Sequence, residues 1–145
     1  MNDQNFYDWY QTPIRRMYNC DCSLPFVSRN FISFENVTKD WAQNSLDYLY
    51  RTFVCSLCEN EIDDPGENIF ILNRLANSDP SNLDGYGYWE AYQFHLTEKG
   101  MALVKECNLD LNSQEICPLF KAKLTAMFEE HDVGFDKKAF VPIQF

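Results

Sequence analysis

Ala42, Leu46, Leu49, Phe53 and Leu57 recur at spacings of 4, 3, 4 and 4, the period of one face of an α-helix. A stripe of that length commits the middle of the chain to a helix that other segments must cover. Thr38 or Asp40 opens this helix, which is predicted to run to about Cys58. Tyr48, Thr52 and Cys55 lie beside the stripe, so the face to be covered is broad. The material for a cover is present: apolar residues make up 46% of the 145 residues and aromatics 16%. Such a chain buries a core without disulfides or a structural metal, and its length fits a single domain spanning residues 1–145.

The other segments are shorter. Residues 1–37 are aromatic-rich and interrupted by Pro13 and Pro25, with a short helix from about Asp3 to Tyr10. Arg29 to Phe34 reads as a strand or extended segment. Asp64-Pro65-Gly66-Glu67 reads as a helix start, with Asp64 as cap, Pro65 in the first turn and Glu67 closing a capping-box-like arrangement. Ile69, Leu72 and Leu75 would then face inward, with a strand over Asn68–Leu72 as the alternative. Asn77 to Gly87 has the composition of a loop. From Tyr88 to Leu96 the pattern alternates, with Tyr92, Phe94 and Leu96 on one face and Gln93 and His95 on the other, as in a half-buried strand. Thr97 caps a helix through Met101, Val104 and Cys107, and Leu96 and Met101 can form a hydrophobic staple. A last helix starts near Ser113 or Pro118 and runs to about His131 on the stripe Ile116, Phe120, Leu124 and Met127, stopped by Gly134. The expected fold class is α+β and predominantly helical: four to five helices with a small antiparallel sheet or hairpin.

Tyr88-Trp89-Glu90-Ala91-Tyr92-Gln93-Phe94-His95-Leu96-Thr97-Glu98-Lys99-Gly100-Met101-Ala102-Leu103-Val104 resembles the wing strand and following helix of winged-helix domains such as the MarR-like and PadR-like regulators, over about residues 79–107. The resemblance implies a winged-helix-like arrangement, with Asp79–Gly87 as the wing tip, and a transcription regulator as one alternative function. DNA reading in that fold needs a basic recognition helix and a basic wing. Here the wing-like loop carries Asp79 and Asp84 and neither lysine nor arginine.

Charge position matters more than its sum of −10. Residues 41–98 hold ten acids against Arg51 and Arg74, and the segments on either side are close to neutral. The densest part is Glu59-Asn60-Glu61-Ile62-Asp63-Asp64-Pro65-Gly66-Glu67. A field of this sign repels nucleic acid and membrane surfaces and attracts basic partners. No run approaches the roughly 18 apolar residues of a membrane span, and the acidic start Met1-Asn2-Asp3-Gln4 lacks the form of a secretory signal. A cytoplasmic setting is expected, with the six cysteines reduced.

Few motifs carry chemistry. Cys20, Cys22, Cys55 and Cys58 have a spacing that a four-thiolate zinc site uses, which makes a cysteine-ligated zinc protein a further alternative. Against it, Cys55 and Cys58 fall near the end of the long helix, beside its buried stripe, and buried free cysteine is common. The two histidines, His95 and His131, match no HExxH pattern, and neither a GxSxG nor a P-loop occurs. No catalytic residue, resident metal or cofactor is expected. The reading that remains is a small acidic binding protein, of the kind formed by immunity proteins and antitoxins, that occludes the active site of a basic, nuclease-type toxin. The residues expected to meet that partner are Glu59, Glu61, Asp63, Asp64 and Glu67, then Asp79, Asp84 and Glu90, with Tyr86, Tyr88 and Trp89 as aromatic anchors.

Overall fold

A computed structural model of the chain describes residues 1–28, 30, 31 and 33–145. The stretch Arg29–Phe34, expected to be extended, therefore lies partly outside the described residues, at Arg29 and Ile32.

The described residues are predominantly helical with one small two-stranded sheet, as the pattern of apolar residues predicts. Helices α1 (Asp3–Phe6) and α2 (Thr12–Arg16) are joined without a break by a π-helical turn at Tyr7–Gln11. Pro13 does not interrupt this segment. The wider turn lets the Thr12 N–H reach the Tyr7 carbonyl, five residues back, next to a proline that has no N–H to offer. A short helix α3 (Leu24–Val27) follows, then α4 (Lys39–Val54), the long helix. Thr38 caps α4 by accepting from Trp41 N at 3.1 Å. Trp41, Ala42, Ser45, Leu46, Tyr48, Leu49 and Thr52 form its buried face.

The sequence places the end of α4 one turn too late. The helix stops at Val54 because Ser56 adopts a left-handed φ of 55°, and Leu57 N then donates back to Thr52 O at 2.8 Å. Leu57 is still buried, so its spacing imitates a helical stripe while it lies outside the helix. Cys58 belongs to β1 (Cys58–Asn60).

Asp64 accepts from Gly66 N at 2.9 Å and starts a 3₁₀ turn at Pro65–Glu67 that runs into α5 (Asn68–Ala76). That excludes the strand alternative. Its inward residues are Ile71, Leu72, Leu75 and Ala76, and Ile69 faces solvent instead.

The largest departure follows. Leu83–Ala91 is helix α6, where a loop and the first half of a strand are expected. Asn82 caps it through Gly85 N at 2.9 Å. Gly85 is required by packing, since a Cβ there would collide with the Asp79 backbone. The segment that would form a wing tip is therefore helical, and the strand shortens to β2 (Phe94–Leu96).

β2 pairs antiparallel with β1 in the register Cys58↔Leu96, Glu59↔His95 and Asn60↔Phe94. On its other edge an isolated bridge joins Cys22 to Phe94. Thr97 caps α7 (Glu98–Glu106), and α8 (Pro118–Glu130) carries Phe120, Leu124 and Phe128 into the core. The C-terminal tail has no regular structure but packs against α4 and α5, with Gln144 N donating to Ala76 O at 2.8 Å. The core is strongly aromatic: Phe6, Tyr10, Phe128 and Phe135 meet edge to face or stacked, and the Trp41 and Trp89 rings lie 5.3 Å apart. No helix among the described residues is long and apolar enough to cross a membrane.

Candidate functional site: an acidic corner around His95

β1, the turn after it and β2 gather the acids of Glu59–Glu67 at one corner of the molecule. Alternation along the strands decides which way each residue points. Cys58 and Asn60 face the core opposite Leu96 and Phe94, so Glu59 and His95, paired across the strands, face outward.

The turn that follows is locked by Asn60, a buried polar residue. Its Oδ1 accepts from Ile62 N and Asp64 N, each at 3.2 Å. Its Nδ2 donates to Asp64 O at 2.7 Å and to Asn68 Oδ1 at 2.9 Å. The chain reverses with Asp63 N donating to Asn60 O at 3.0 Å and with Asp63 at a φ of 56°. Asp is among the few residues that tolerate that left-handed conformation. This geometry returns the Asp63 carboxylate to the strand pair.

Three carboxylates from three places in the chain therefore converge on one imidazole. Glu59 Oε1 lies 3.0 Å and Asp63 Oδ1 2.8 Å from His95 Nε2. Asp21, brought alongside by the Cys22–Phe94 bridge, has Oδ1 2.8 Å from Nδ1. Glu59 alone makes an aligned hydrogen bond; Asp21 and Asp63 sit at ion-pair distance without that alignment. Partial burial opposes a charge on His95, but the Glu59 hydrogen bond and the fields of Asp21, Asp63 and Glu59 outweigh it, and the His95 pKa is raised. Among the described residues, Glu59, Asp63 and His95 are the one group of three potential metal ligands whose donor atoms converge, all within 4.8 Å of one another.

Glu61, Asp64 and Glu67 stay exposed. Glu61 and Glu67 rim a shallow cleft of about 110 Å³ whose apolar walls are Ile62, Phe70, Ile71 and Tyr92. Ile62 is 66% and Phe70 50% exposed, an unusual outlay of large apolar surface beside a charge cluster. Arg74 links this cleft to α6: its guanidinium lies 5.3 Å from the Phe70 ring centroid and 4.7 Å from that of Tyr88. Asp84 and Glu90 are exposed on α6.

Several expected interface residues have other work. Trp89 is a core residue with 0% exposure, and its Nε1 donates to Ser78 O at 2.7 Å; it anchors α6 and cannot reach a partner. Asp79 holds a turn, accepting from Ser81 N at 2.8 Å and Ser81 Oγ at 2.6 Å. Those bonds lower its pKa below the ordinary carboxylate value. Tyr86 packs on Phe31 and Phe34, with centroids 5.9 and 5.3 Å away. Glu59 and Asp63 face His95, and Tyr88 remains available.

The four cysteines of the zinc alternative do not meet. Cys20 Sγ and Cys22 Sγ lie 3.0 Å apart, whereas Cys58 Sγ faces Met17 Sδ and Cys55 Sγ faces Met127 O. Burial pushes the Cys58 thiol up to about 12 and that of Cys55 to about 11. Thiols of that kind are poor ligands and poor nucleophiles.

Two buried charges had no signal in the sequence. Asp47 and Arg51 of α4 are both inside: Asp47 accepts from Ala139 N and Phe140 N, and Arg51 donates to the Val133 and Gly134 carbonyls. With these two internal, Arg74 is the one lysine or arginine that residues 41–98 place toward the surface.

Compared with protein-family models, with curated proteins and with solved structures, the chain matches none.

Proposed function

We propose that this chain is a cytoplasmic binding protein, not an enzyme, that neutralises a basic protein partner of the nuclease-toxin type by covering its cationic cleft. It would thus act as an immunity protein or antitoxin. The observation that carries this reading is the juxtaposition at the β1–α5 corner. Exposed Ile62 and Phe70 stand in a shallow cleft rimmed by Glu61 and Glu67, with Asp64 beside them.

Apolar anchors inside a charged rim divide the energetic work of an interface. The anchors hold the complex together, and the rim accelerates encounter with a partner of opposite sign and rejects partners of the same sign. Asp84, Tyr88 and Glu90 on α6 extend the surface, joined to the cleft through Arg74 stacked between Phe70 and Tyr88. The internal placement of Arg51 strengthens the argument, because it removes a positive charge that a count along the sequence assigns to this surface.

The test is to co-express the chain with the product of the adjacent gene. Formation of a complex that suppresses that product's toxicity or nuclease activity is the expected result. The association rate should fall steeply with added salt and should fall again in the triple variant Glu61→Gln, Asp64→Asn, Glu67→Gln. Phe70→Ala should instead speed dissociation, because an anchor acts after encounter. Absence of a complex, or an association rate indifferent to salt, overturns the reading.

A further inference from the structure

We propose that Glu59, Asp63 and His95 form a binding site for a single divalent transition-metal ion, of which zinc is the natural probe, with Asp21 as the residue that orients the imidazole. The site is independent of the apolar cleft and needs no partner protein.

The donor set is one imidazole nitrogen and two carboxylate oxygens. Such a mixture suits zinc, manganese, cobalt or nickel better than calcium or magnesium, which take oxygen alone, and better than cuprous ion, which takes sulfur. The spacing also fits. Metal–ligand bonds of about 2.0–2.2 Å place neighbouring donors about 3.0–3.5 Å apart. The two carboxylate oxygens stand 3.0 and 2.8 Å from Nε2, and the three donors lie within 4.8 Å of one another; a metal would take the place on the ring axis that the Glu59 hydrogen bond now fills, with Glu59 moving to its side. Asp63 approaches Nε2 off the line of a hydrogen bond, which a ligand sharing a metal with that nitrogen is free to do.

The frame around the donors is built. Glu59 and His95 are fixed opposite each other by strand register, and Asp63 is fixed by the four hydrogen bonds of the buried Asn60 side chain and the turn they close. Asp21 stands 2.8 Å from Nδ1, on the ring nitrogen away from the ligands. A metal-bound histidine donates from that nitrogen to a carboxylate that sets its tautomer and raises its basicity; Asp21 is at the right distance, and a turn of its side chain would bring the oxygen into line with Nδ1–H. Among the described residues no lysine or arginine forms an ion pair with Asp21, Glu59 or Asp63. Three negative charges therefore face a single imidazole. With Asp63 exposed, the open side of the site leaves room for water in the remaining positions.

The experiment is calorimetric titration of zinc chloride into metal-stripped, fully reduced protein at one fixed pH, repeated with cobalt and read by its visible spectrum. One equivalent should bind, and the cobalt form should show ligand-field bands without an intense thiolate charge-transfer band. Asp63→Asn keeps a residue that accepts the left-handed backbone and so leaves the fold intact; it should weaken zinc at least tenfold, as should His95→Gln. Asp21→Asn should weaken it about tenfold, as expected for an orienting carboxylate. Cys20→Ser should leave affinity unchanged. Absence of binding in the wild type overturns the site, leaving His95 as an imidazolium held by carboxylates. Binding that survives Asp63→Asn and His95→Gln, or that is lost in Cys20→Ser, overturns it as well. None of these readouts involves a protein partner, so the site can fail while the interface stands, or the reverse.

Discussion

Arg51 Nε donates to the Val133 carbonyl at 2.8 Å, across the interior of the protein. The same guanidinium donates to Tyr10 Oη at 2.6 Å, to Gly134 O at 3.2 Å and to Lys137 O. Its faces lie 5.2 Å from the Phe135 ring centroid and 5.0 Å from that of Phe140. The buried charge is thus compensated by carbonyl dipoles, a phenol and aromatic faces. Arg51→Met leaves those carbonyls without donors and should cost about 3 kcal/mol of unfolding free energy, measured by urea denaturation. Arg51→Lys should recover only part, since an ammonium cannot span the planar fan of acceptors.

One turn earlier on the same helix, Asp47 accepts from Ala139 N at 3.0 Å and Phe140 N at 3.2 Å. Ala139 has a left-handed φ of 56°, so this carboxylate holds the tail in a conformation that an alanine resists. Asp47→Asn should cost about 1–2 kcal/mol and should increase proteolytic cleavage after residue 134. Ala139→Gly removes the backbone strain and should be neutral or stabilising by up to about 1 kcal/mol.

These two residues show what a sequence pattern conceals. Asp47 and Arg51 are spaced like a surface ion pair on a helix, and nothing local distinguishes them from one. Their backbone partners come from the tail, more than eighty residues away. The stripe of α4 was legible because burial over four turns follows the helical period. Helix α6 was not, because Gly85 and Gly87 read as loop residues and Tyr88, Tyr92 and Phe94 happen to alternate. The fold of the turn before the helix, which brings the Asp79 backbone against Gly85, is what requires the glycine. The outward placement of His95 could be read from strand alternation, but its company could not. Asp21, Glu59 and Asp63 meet it only through strand register, a bridge and a turn closed by Asn60.

The thiols make stability sensitive to alkali. Burial, opposed by hydrogen bonds with Thr52 and Tyr48, raises Cys58 from 9.0 to about 12, and burial raises Tyr10 from 10.0 to about 12 against the pull of Arg51. The folded state keeps these protons where the unfolded chain releases them, so unfolding free energy is undiminished below about pH 9 and should fall as pH rises from there toward 12. Urea midpoints between pH 7 and about pH 11 should show this decline, and Cys58→Ala should reduce its slope. At neutral pH, Cys20, the one exposed cysteine, should react with Ellman's reagent in the native protein, while Cys58 should react only after unfolding.

Gly100 offers the sharpest test of how the sheet is tied to the helices. It lies at the start of α7, where Thr97 Oγ1 accepts from Gly100 N at 3.1 Å. Thr97 N donates to Leu57 O at 3.0 Å, which clamps the end of β2 to the residue before β1. A Cβ on Gly100 would strike that same Leu57 carbonyl. An alanine favours the helix by about 1 kcal/mol in isolation, yet here it must push α7 off the strand pair. The clash should win: Gly100→Ala is expected to lower the unfolding free energy by about 1–3 kcal/mol, the usual range for an overpacked contact. The displacement would also loosen the Glu59–His95 register two residues away. Nuclear magnetic resonance should then show faster exchange of the β1 and β2 amides and a His95 pKa closer to its ordinary value. A Gly100→Ala protein as stable as wild type, with those amides still protected, would mean that the helix and the sheet are not held together at this contact.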